Sequence, residues 1–222
     1  MKHIAFIMDG NGRWAESLGQ SRQYGHQVGS SRVYEIFKVC TELGCKTATF
    51  FAMSSENMNR NETEISFISQ LLKSSINEHF SDLVNNKIKF KVIGDLSSLP
   101  NKILEIIQHA ENETKKFSRY NLNIAYNYGG HWDIINAANL AVLNHKQINY
   151  ETLCKYLSTS VNYPDLIVRT GGYKRLSNFM LWQAAYSEFQ FLDILWPDIS
   201  KNDIECIFDN YENTQRKFGL VK

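Results

Sequence analysis

An acid, two glycines and an arginine follow directly on an apolar run in the stretch HIAFIMDGNGRWAE, residues 3–16. Asp9 stands where the run ends, Gly10 and Gly12 let the backbone turn without a Cβ clash, and Arg13 places a fixed cation a few residues from the anion. A strand, a glycine turn and then a helix present free backbone N–H groups to an anion. The Lys-Ser/Thr pair of a P-loop is absent, and an aspartate precedes the glycines instead. A carboxylate beside a phosphate repels it unless a divalent cation lies between them. Mg²⁺, held by one or two carboxylates with phosphate oxygens and water, suits that place. The plainer alternative is an Asp-Gly turn with a surface arginine.

Three further stretches carry related chemistry. In SRQYGHQVGSSR, residues 21–32, Arg22 and His26 lie four residues apart near a helix start. Both can face the anion cradled by Gly10–Arg13, helped by the positive helix end; alternatively, Arg22 is solvated and His26 is a cap. SSENMNR, residues 54–60, adds Asn57 and Arg60 after the second apolar run, where an asparagine can equally serve a turn. In IVRTGGYKRLSNFMLWQAAYSE, residues 167–188, Arg169 ends a buried run, Gly171 and Gly172 turn the chain, and Arg175 and Ser177 stand at the expected start of a helix. Ser177 can cap that helix or donate to a phosphate oxygen. Two arginines around a glycine pair suit bidentate phosphate oxygens better than lysines do. Glu188 follows as a rim carboxylate at the start of another strand. Arg13, Arg22, Arg60, Arg169 and Arg175 together form a cation cluster that is costly unless several negative charges bind among them. Two diphosphates meet that requirement.

Regular elements must hold these residues in place. Apolar runs predict strands at 4–8, 47–53, 88–93, 121–126, 165–169 and 188–192. Helical periods fall at 25–43, 62–86, 100–118, 130–146, 149–158, 177–187 and 200–217. Such alternation predicts one α/β domain spanning 1–222, with a mainly parallel six-stranded sheet flanked by helices. Ligands of open parallel sheets bind beyond the carboxyl ends of the strands. Five of those ends are polar: Asp9–Arg13, Ser54–Asn57, Gly94-Asp95, Asn127–Gly130 and Arg169–Gly172. They imply a wide polar cleft. The 62–86 helix carries Ile65, Ile68, Leu72, Ile76, Phe80 and Leu83 near a 3.6-residue period. It either covers the core or lines one wall of a hydrophobic tunnel.

Composition bounds the reading. The chain has 222 residues, 43% of them hydrophobic, with 24 Lys and Arg against 23 Asp and Glu, a net charge of +1. That balance argues against a nucleic-acid partner. Cys40, Cys45, Cys154 and Cys206 form no CxxC pair and have no metal-ligand spacing, as expected for buried thiols in a reducing compartment. No charged-then-apolar leader precedes the first strand and no run approaches a membrane span, which predicts a cytoplasmic protein able to touch a membrane surface.

Taken together, HIAFIMDGNGRWA, the Gly25-His26 pair, SSEN-NR at 54–60, NYGGHWDI at 127–134 and RTGG--RLSNFMLWQAAYSEFQFLDILWPD at 169–198 resemble the cis-prenyltransferases, and among them the bacterial undecaprenyl diphosphate synthases. The resemblance runs through nearly the whole chain in the family's order. It implies a Mg²⁺-dependent homodimer, each domain with a hydrophobic tunnel, that condenses isopentenyl diphosphate repeatedly onto farnesyl diphosphate with Z geometry. It further implies that the polyprenyl product serves cell-wall carrier-lipid synthesis, with peripheral membrane contact for its release. By the same resemblance Asp9 coordinates Mg²⁺ and assists loss of the allylic diphosphate, which Gly10, Asn11, Gly12, Arg13, Arg22 and His26 hold, with Trp14 beside them. Asn57 matches a residue assigned proton transfer, although an amide is a poor base and a positioning role suits it better. Ser54, Ser55, Glu56, Met58 and Arg60 belong to the substrate wall, Arg169, Arg175, Leu176 and Ser177 to the isopentenyl diphosphate site, and Glu188 completes the metal site.

Three departures from the family pattern involve four positions. Tyr173 and Lys174 stand where the family usually has Glu and a variable residue, Met58 replaces a common Trp, and Lys217 replaces the Arg of Arg-Phe-Gly. Other readings are a short-chain cis-prenyl diphosphate synthase, a non-catalytic subunit resembling the enzyme, and a phosphatase or nucleotide binder. A non-catalytic subunit tends to lose the aspartate and arginines, which are all present here.

Overall fold

The computed structural model describes residues 1–59, 62–160 and 162–214. Six strands, β1 (His3–Ile7), β2 (Thr47–Phe51), β3 (Ile88–Ile93), β4 (Tyr120–Ala125), β5 (Leu166–Arg169) and β6 (Glu188–Phe191), form one sheet in the order β3-β4-β2-β1-β5-β6. Every neighbouring pair is parallel. The expected sheet is thus present, with its strands within a few residues of the expected bounds. β1, β2 and β5 are buried throughout, as strands covered on both faces must be. The edge strand β3 alternates instead, with Lys89 and Lys91 exposed.

Alternate residues of β1 feed two cores. Ile4 and Phe6 join the larger core, to which helices α2 (Arg22–Glu42), α3 (Glu62–Asn85), α4 (Asn101–Thr114) and α7 (Lys201–Glu212) contribute Phe37, Leu72, Ile107 and Ile204. Ala5 and Ile7 join a smaller core on the opposite face, with Phe51, Tyr128, Phe179 and Met180. Trp132 of α5 (Gly130–Leu143) packs against it, and α6 (Tyr150–Tyr156) packs on α5. Trp196, fully buried, donates its indole N–H to the Gly29 carbonyl at 2.8 Å and so ties α2 to the segment after β6.

Two expected helices differ from the structure. The turn after β1 leads into α1 (Asn11–Ser17), a short helix without an apolar period, and α2 then starts at Arg22 rather than 25. Gly25 is what lets α2 lie on α1, because a Cβ there would collide with the Asn11 carbonyl oxygen. The segment 177–187 is not an α-helix. Ser177, Asn178 and Met180 have φ of 50°, 61° and 46°, which a right-handed helix cannot contain. Only a 3-10 turn at Gln183–Tyr186 remains. Side chains hold this segment in place: Gln183 donates to the buried Asp133 carboxylate at 2.9 Å, and the Asn178 amide oxygen accepts the His131 N–H at 3.0 Å.

The strand order sets the site's position. After β1 the chain turns towards β2 through helices on the larger-core face. After β5 it turns towards β6 through a segment that packs in the smaller core. Adjacent strands whose connections leave in opposite directions open a crevice at their carboxyl ends. Asp9 and Arg169 flank that crevice.

His3, fully buried at the other end of β1, gives the fold a pH dependence. Its Nδ1 donates to the Asn162 carbonyl at 3.1 Å and its Nε2 accepts the Thr49 hydroxyl at 2.8 Å, so the neutral ring is satisfied. Burial lowers its pKa to about 4, against weaker opposing effects from the Asn162 carbonyl and Asp165. The unfolded chain therefore binds one more proton than the native one between pH 6.5 and about 4, and stability is lost as pH falls through that window. Urea unfolding should show about 3 kcal/mol of pH-dependent loss from this group, absent in His3→Gln. Equal slopes for both proteins would contradict the assignment.

Candidate active site

The site is built outward from Asp9. Thr170, first after β5, fixes its backbone from both sides: the hydroxyl accepts the Asp9 N–H at 3.0 Å and donates to the Asp9 carbonyl at 2.7 Å. With its main chain pinned, Asp9 directs one carboxylate oxygen to Arg13 at 3.2 Å and the other to Arg169 at 2.7 Å. Arg13 also donates to the Gly171 carbonyl at 2.8 Å. That approach needs a glycine, since Gly171 has φ 84° and a Cβ there would meet the Arg13 guanidinium. Arg169, 4% exposed at the end of β5, extends its other nitrogen to the Ser177 hydroxyl at 2.7 Å and the Arg175 carbonyl at 2.6 Å. Its Nε is buried with no hydrogen-bond partner among the described residues, an unspent donor at the edge of the site.

A polar cavity of about 340 Å³ opens beside these groups. Asp9, Gly10, Asn11, Gly12, Arg22 and His26 line it from the β1 side, Ser54 and Asn57 from the β2 side, and Arg169, Arg175 and Ser177 from the β5 side, together with Tyr173. Two of the five polar strand ends do not join them. Asn127 donates to the Asp95 carbonyl at 2.8 Å, so the ends of β3 and β4 close on each other. Arg22 lies over Gly12 and pairs with Glu16 at 2.8 Å, and His26 approaches Glu64 at 3.6 Å.

Several expected residues stand behind the wall instead of on it. Trp14 stacks on Tyr24 and donates to Asp198 at 2.6 Å, bracing α1 against the segment after β6. Met58 packs on the larger core and Leu176 on the smaller. The Ser55 N–H donates to the Tyr128 carbonyl at 3.0 Å. Glu56 accepts the Asn178 amide at 2.7 Å; burial raises its carboxyl pKa, but that amide, its own backbone N–H and the Ser54 and Ser55 side chains together outweigh burial and lower it. Arg60 and Lys217 lie outside the described residues.

The pairing of Glu188 with Asp9 does not form within one chain. Glu188 opens β6 opposite Leu166, whereas Arg169, beside Asp9, pairs with Phe191 at the strand's other end. At about 3.3 Å per residue the three steps from Glu188 to Phe191 are roughly 10 Å along the sheet, Asp9 follows Ile7 beyond the level of Phe191, and β5 lies between the two strands. In a parallel sheet the start of one strand and the end of another lie on opposite rims, which places Glu188 and Asp9 apart. Reading by residue type likewise missed Thr170 and Asn178, although both stand inside the RTGG and RLSN stretches. Their signal was a hydrogen-bonding side chain next to a turn.

Asp9 is the only acid lining the cavity among the described residues, and they contain no cluster of three or more metal-ligating side chains. Its carboxylate, about a quarter exposed, suits a cation shared with a bound phosphate better than a metal caged by protein alone.

The cavity continues into an apolar one of about 100 Å³, sharing Met8, Asn11, His26, Ala52 and Ile68 with it. The apolar lining runs between α2, α3 and the sheet to Leu83 and Phe90. From Ile68 to Leu83 along α3 is about 22 Å at 1.5 Å per residue. Ser30 and Ser75 are hydrogen bonded across it at 2.9 Å, and Tyr34 stacks on His79 with ring centres 4.4 Å apart. The α3 face is a channel wall as well as core.

A crevice at the strand ends, lined by guanidiniums, adjoins an apolar cavity, an arrangement suited to a ligand with an anionic head and an apolar tail. Comparison with known proteins makes the class specific. The family model described as putative undecaprenyl diphosphate synthase matches residues 7–219, and the chain belongs to that prenyltransferase family. It is 41% identical to an isoprenyl transferase of Fusobacterium nucleatum over all of this chain and 96% of the relative. It is 42% identical to a ditrans,polycis-undecaprenyl-diphosphate synthase, (2E,6E)-farnesyl-diphosphate specific, of Buchnera aphidicola, over 99% of this chain and 91% of the relative. Among solved structures, lavandulyl diphosphate synthase from Lavandula x intermedia in complex with dimethylallyl diphosphate superposes with a TM-score of 0.92 at 33% identity, covering 98% of both chains. A probable undecaprenyl diphosphate synthase from Campylobacter jejuni does so with 0.84 at 33%, covering 99% of this chain and 98% of that one.

Arg169 makes three polar contacts that an ammonium cannot reproduce, since lysine has no planar fork. Arg169→Lys should weaken inorganic diphosphate binding at least about tenfold in calorimetry, or roughly 1.4 kcal/mol, with an unchanged far-ultraviolet spectrum. Unchanged affinity would remove Arg169 from the anion site.

Proposed function

We propose that this chain, a cis-prenyltransferase by family, condenses isopentenyl diphosphate onto an allylic diphosphate, farnesyl diphosphate being the expected primer, in repeated rounds that yield a long-chain carrier-lipid precursor. One observation carries the reading: Asp9, Arg22, Arg169 and Arg175 line a polar cavity that shares residues with an apolar one, so one ligand can present diphosphate to the cations and hydrocarbon to the apolar lining.

In each round a C–O bond to the allylic diphosphate breaks, a C–C bond forms to isopentenyl diphosphate, a proton leaves the new chain, and inorganic diphosphate is released. Gly10, Asn11, Gly12, Arg13, Arg22 and His26 bind the allylic diphosphate. Arg169, Arg175 and Ser177 bind the isopentenyl one. Guanidiniums aimed at the departing oxygens stabilise charge that grows in the transition state, the kind of preorganised electrostatics that is strong in a cavity shielded from water. Asn57 orients isopentenyl diphosphate rather than acting as a base. Asp9 would hold Mg²⁺, which supplies Lewis-acid stabilisation of the leaving diphosphate when bound. The channel walls keep water from the electron-poor carbon. Homodimerisation and membrane contact at product release complete the proposal. Exposed Ile135, Val142 and Leu143, spaced to share one strip of α5, supply apolar surface for a partner, and no described helix is long and apolar enough to cross a membrane.

A second reading, a short-chain synthase, is favoured by the narrow apolar cavity of about 100 Å³. Sizing the products made from labelled isopentenyl diphosphate separates the two: chains well beyond three isoprene units support the first, and a short product the second.

Asp9→Ala removes the carboxylate paired with the buried Arg169 and so costs stability; in protein shown to be folded by its far-ultraviolet spectrum, kcat should fall at least about a hundredfold, the scale of losing one preorganised electrostatic group. Turnover near wild type would remove Asp9 from the chemistry. Excess chelator should abolish condensation and added Mg²⁺ should restore it; full activity in chelator would refute the metal dependence.

A further inference from the structure

Tyr173 has no assigned part in the reaction described above, yet its ring lies at the centre of the cation cluster. The Cζ atoms of Arg175, Arg13 and Arg169 stand 4.1, 4.9 and 5.9 Å from its centroid. We propose that Tyr173 is a positioning residue that gathers these three guanidiniums on a neutral aromatic face and holds Arg175 ready for a diphosphate. The proposal rests on the reading of this cavity as a diphosphate site.

The three arginines differ in what else holds them. Arg13 and Arg169 are tethered through Asp9 and through the Gly171 carbonyl and the Ser177 hydroxyl respectively. Arg175 differs: its guanidinium has no hydrogen bond or ion pair among the described residues, and its partner is the Tyr173 ring. An aromatic face attracts a cation through its quadrupole and carries no net charge. A guanidinium held over a ring keeps its in-plane N–H fork for a bidentate anion. A carboxylate at position 173 would add a negative charge beside the fork, whereas the ring adds none. The ring thus concentrates positive charge without neutralising it. Gly171 and Gly172, with φ of 84° and 80°, turn the chain immediately before Tyr173 and deliver the ring to the cluster.

Tyr173 is 44% exposed, so its replacement leaves the cores intact and the variants can be compared as folded proteins. The first measurement is calorimetric binding of inorganic diphosphate with Mg²⁺. Tyr173→Leu should weaken it about threefold to fivefold, the size of one exposed cation–π contact, and Tyr173→Phe should stay within about twofold of wild type. The second is kinetic: Tyr173→Leu should raise KM for isopentenyl diphosphate by a similar factor and leave kcat within about twofold, since the ring orients a binding group. The third is a cycle with Arg175→Gln, in whose background Tyr173→Leu should have little further effect. Unchanged affinity in Tyr173→Leu, an equal loss in Tyr173→Phe, or full additivity with Arg175→Gln would each overturn the proposal. If the wild-type protein binds diphosphate but forms no prenyl product, the proposed reaction fails while the calorimetry still decides the role of Tyr173.

Discussion

A single carboxylate held between two guanidiniums at the end of a parallel sheet is the constraint around which this molecule is arranged. Asp9 needs Thr170 to fix its backbone, Gly171 to admit Arg13, and β5 to bring Arg169 within 2.7 Å. Each requirement joins two segments some 160 residues apart in the chain, so the site exists only if β1 and β5 are neighbours. The ion pairs also have a chemical consequence. An aspartate already matched by two arginines keeps their forks ordered, so an arriving diphosphate meets organised donors rather than disordered side chains. Preorganisation of that kind is where electrostatic catalysis gains most.

The same sheet end divides the ligand environment in two. Glycine turns and arginines make the polar half, while the facing sides of α2 and α3 make the apolar half, and Met8, Asn11, His26, Ala52 and Ile68 belong to both. Ser30 with Ser75 and Tyr34 with His79 bridge the helices inside the apolar half. A growing hydrocarbon chain must displace or pass these contacts. The side-chain pairs between α2 and α3 narrow a cavity whose remaining wall is the sheet, through Phe90, Leu122 and Ile124.

Much of this arrangement was legible in the residues. Strands buried on both faces, β1, β2 and β5, appear as near-continuous apolar runs, while β3 shows as an alternating one. Polar residues at the ends of β1, β2 and β5 marked the rim. Other features depend on three-dimensional order that local pattern does not carry. Glu188 looked like a partner for Asp9 because both are acids next to strands, but β6 enters the sheet from the far end. The segment after Ser177 has a helical composition, and three residues with positive φ, fixed in part by Asn178 and Gln183, prevent a helix. α1 has no apolar stripe because glycines and polar contacts seat it. Tyr173 registered only as a departure from a family pattern, since a ring shared by three arginines becomes visible only when β1 and β5 are side by side.

The central claim is that two diphosphates bind side by side at this cluster while one hydrocarbon tail enters the channel between α2 and α3. A crystal structure with Mg²⁺, isopentenyl diphosphate and an unreactive thio-analogue of farnesyl diphosphate tests it most directly. The account predicts one diphosphate against Gly10–Arg13 and Arg22, the other against Arg169, Arg175 and Ser177, the metal on Asp9, and the farnesyl tail along Ile68 and Leu72. Diphosphates bound elsewhere, or a tail lying outside the channel, would contradict it.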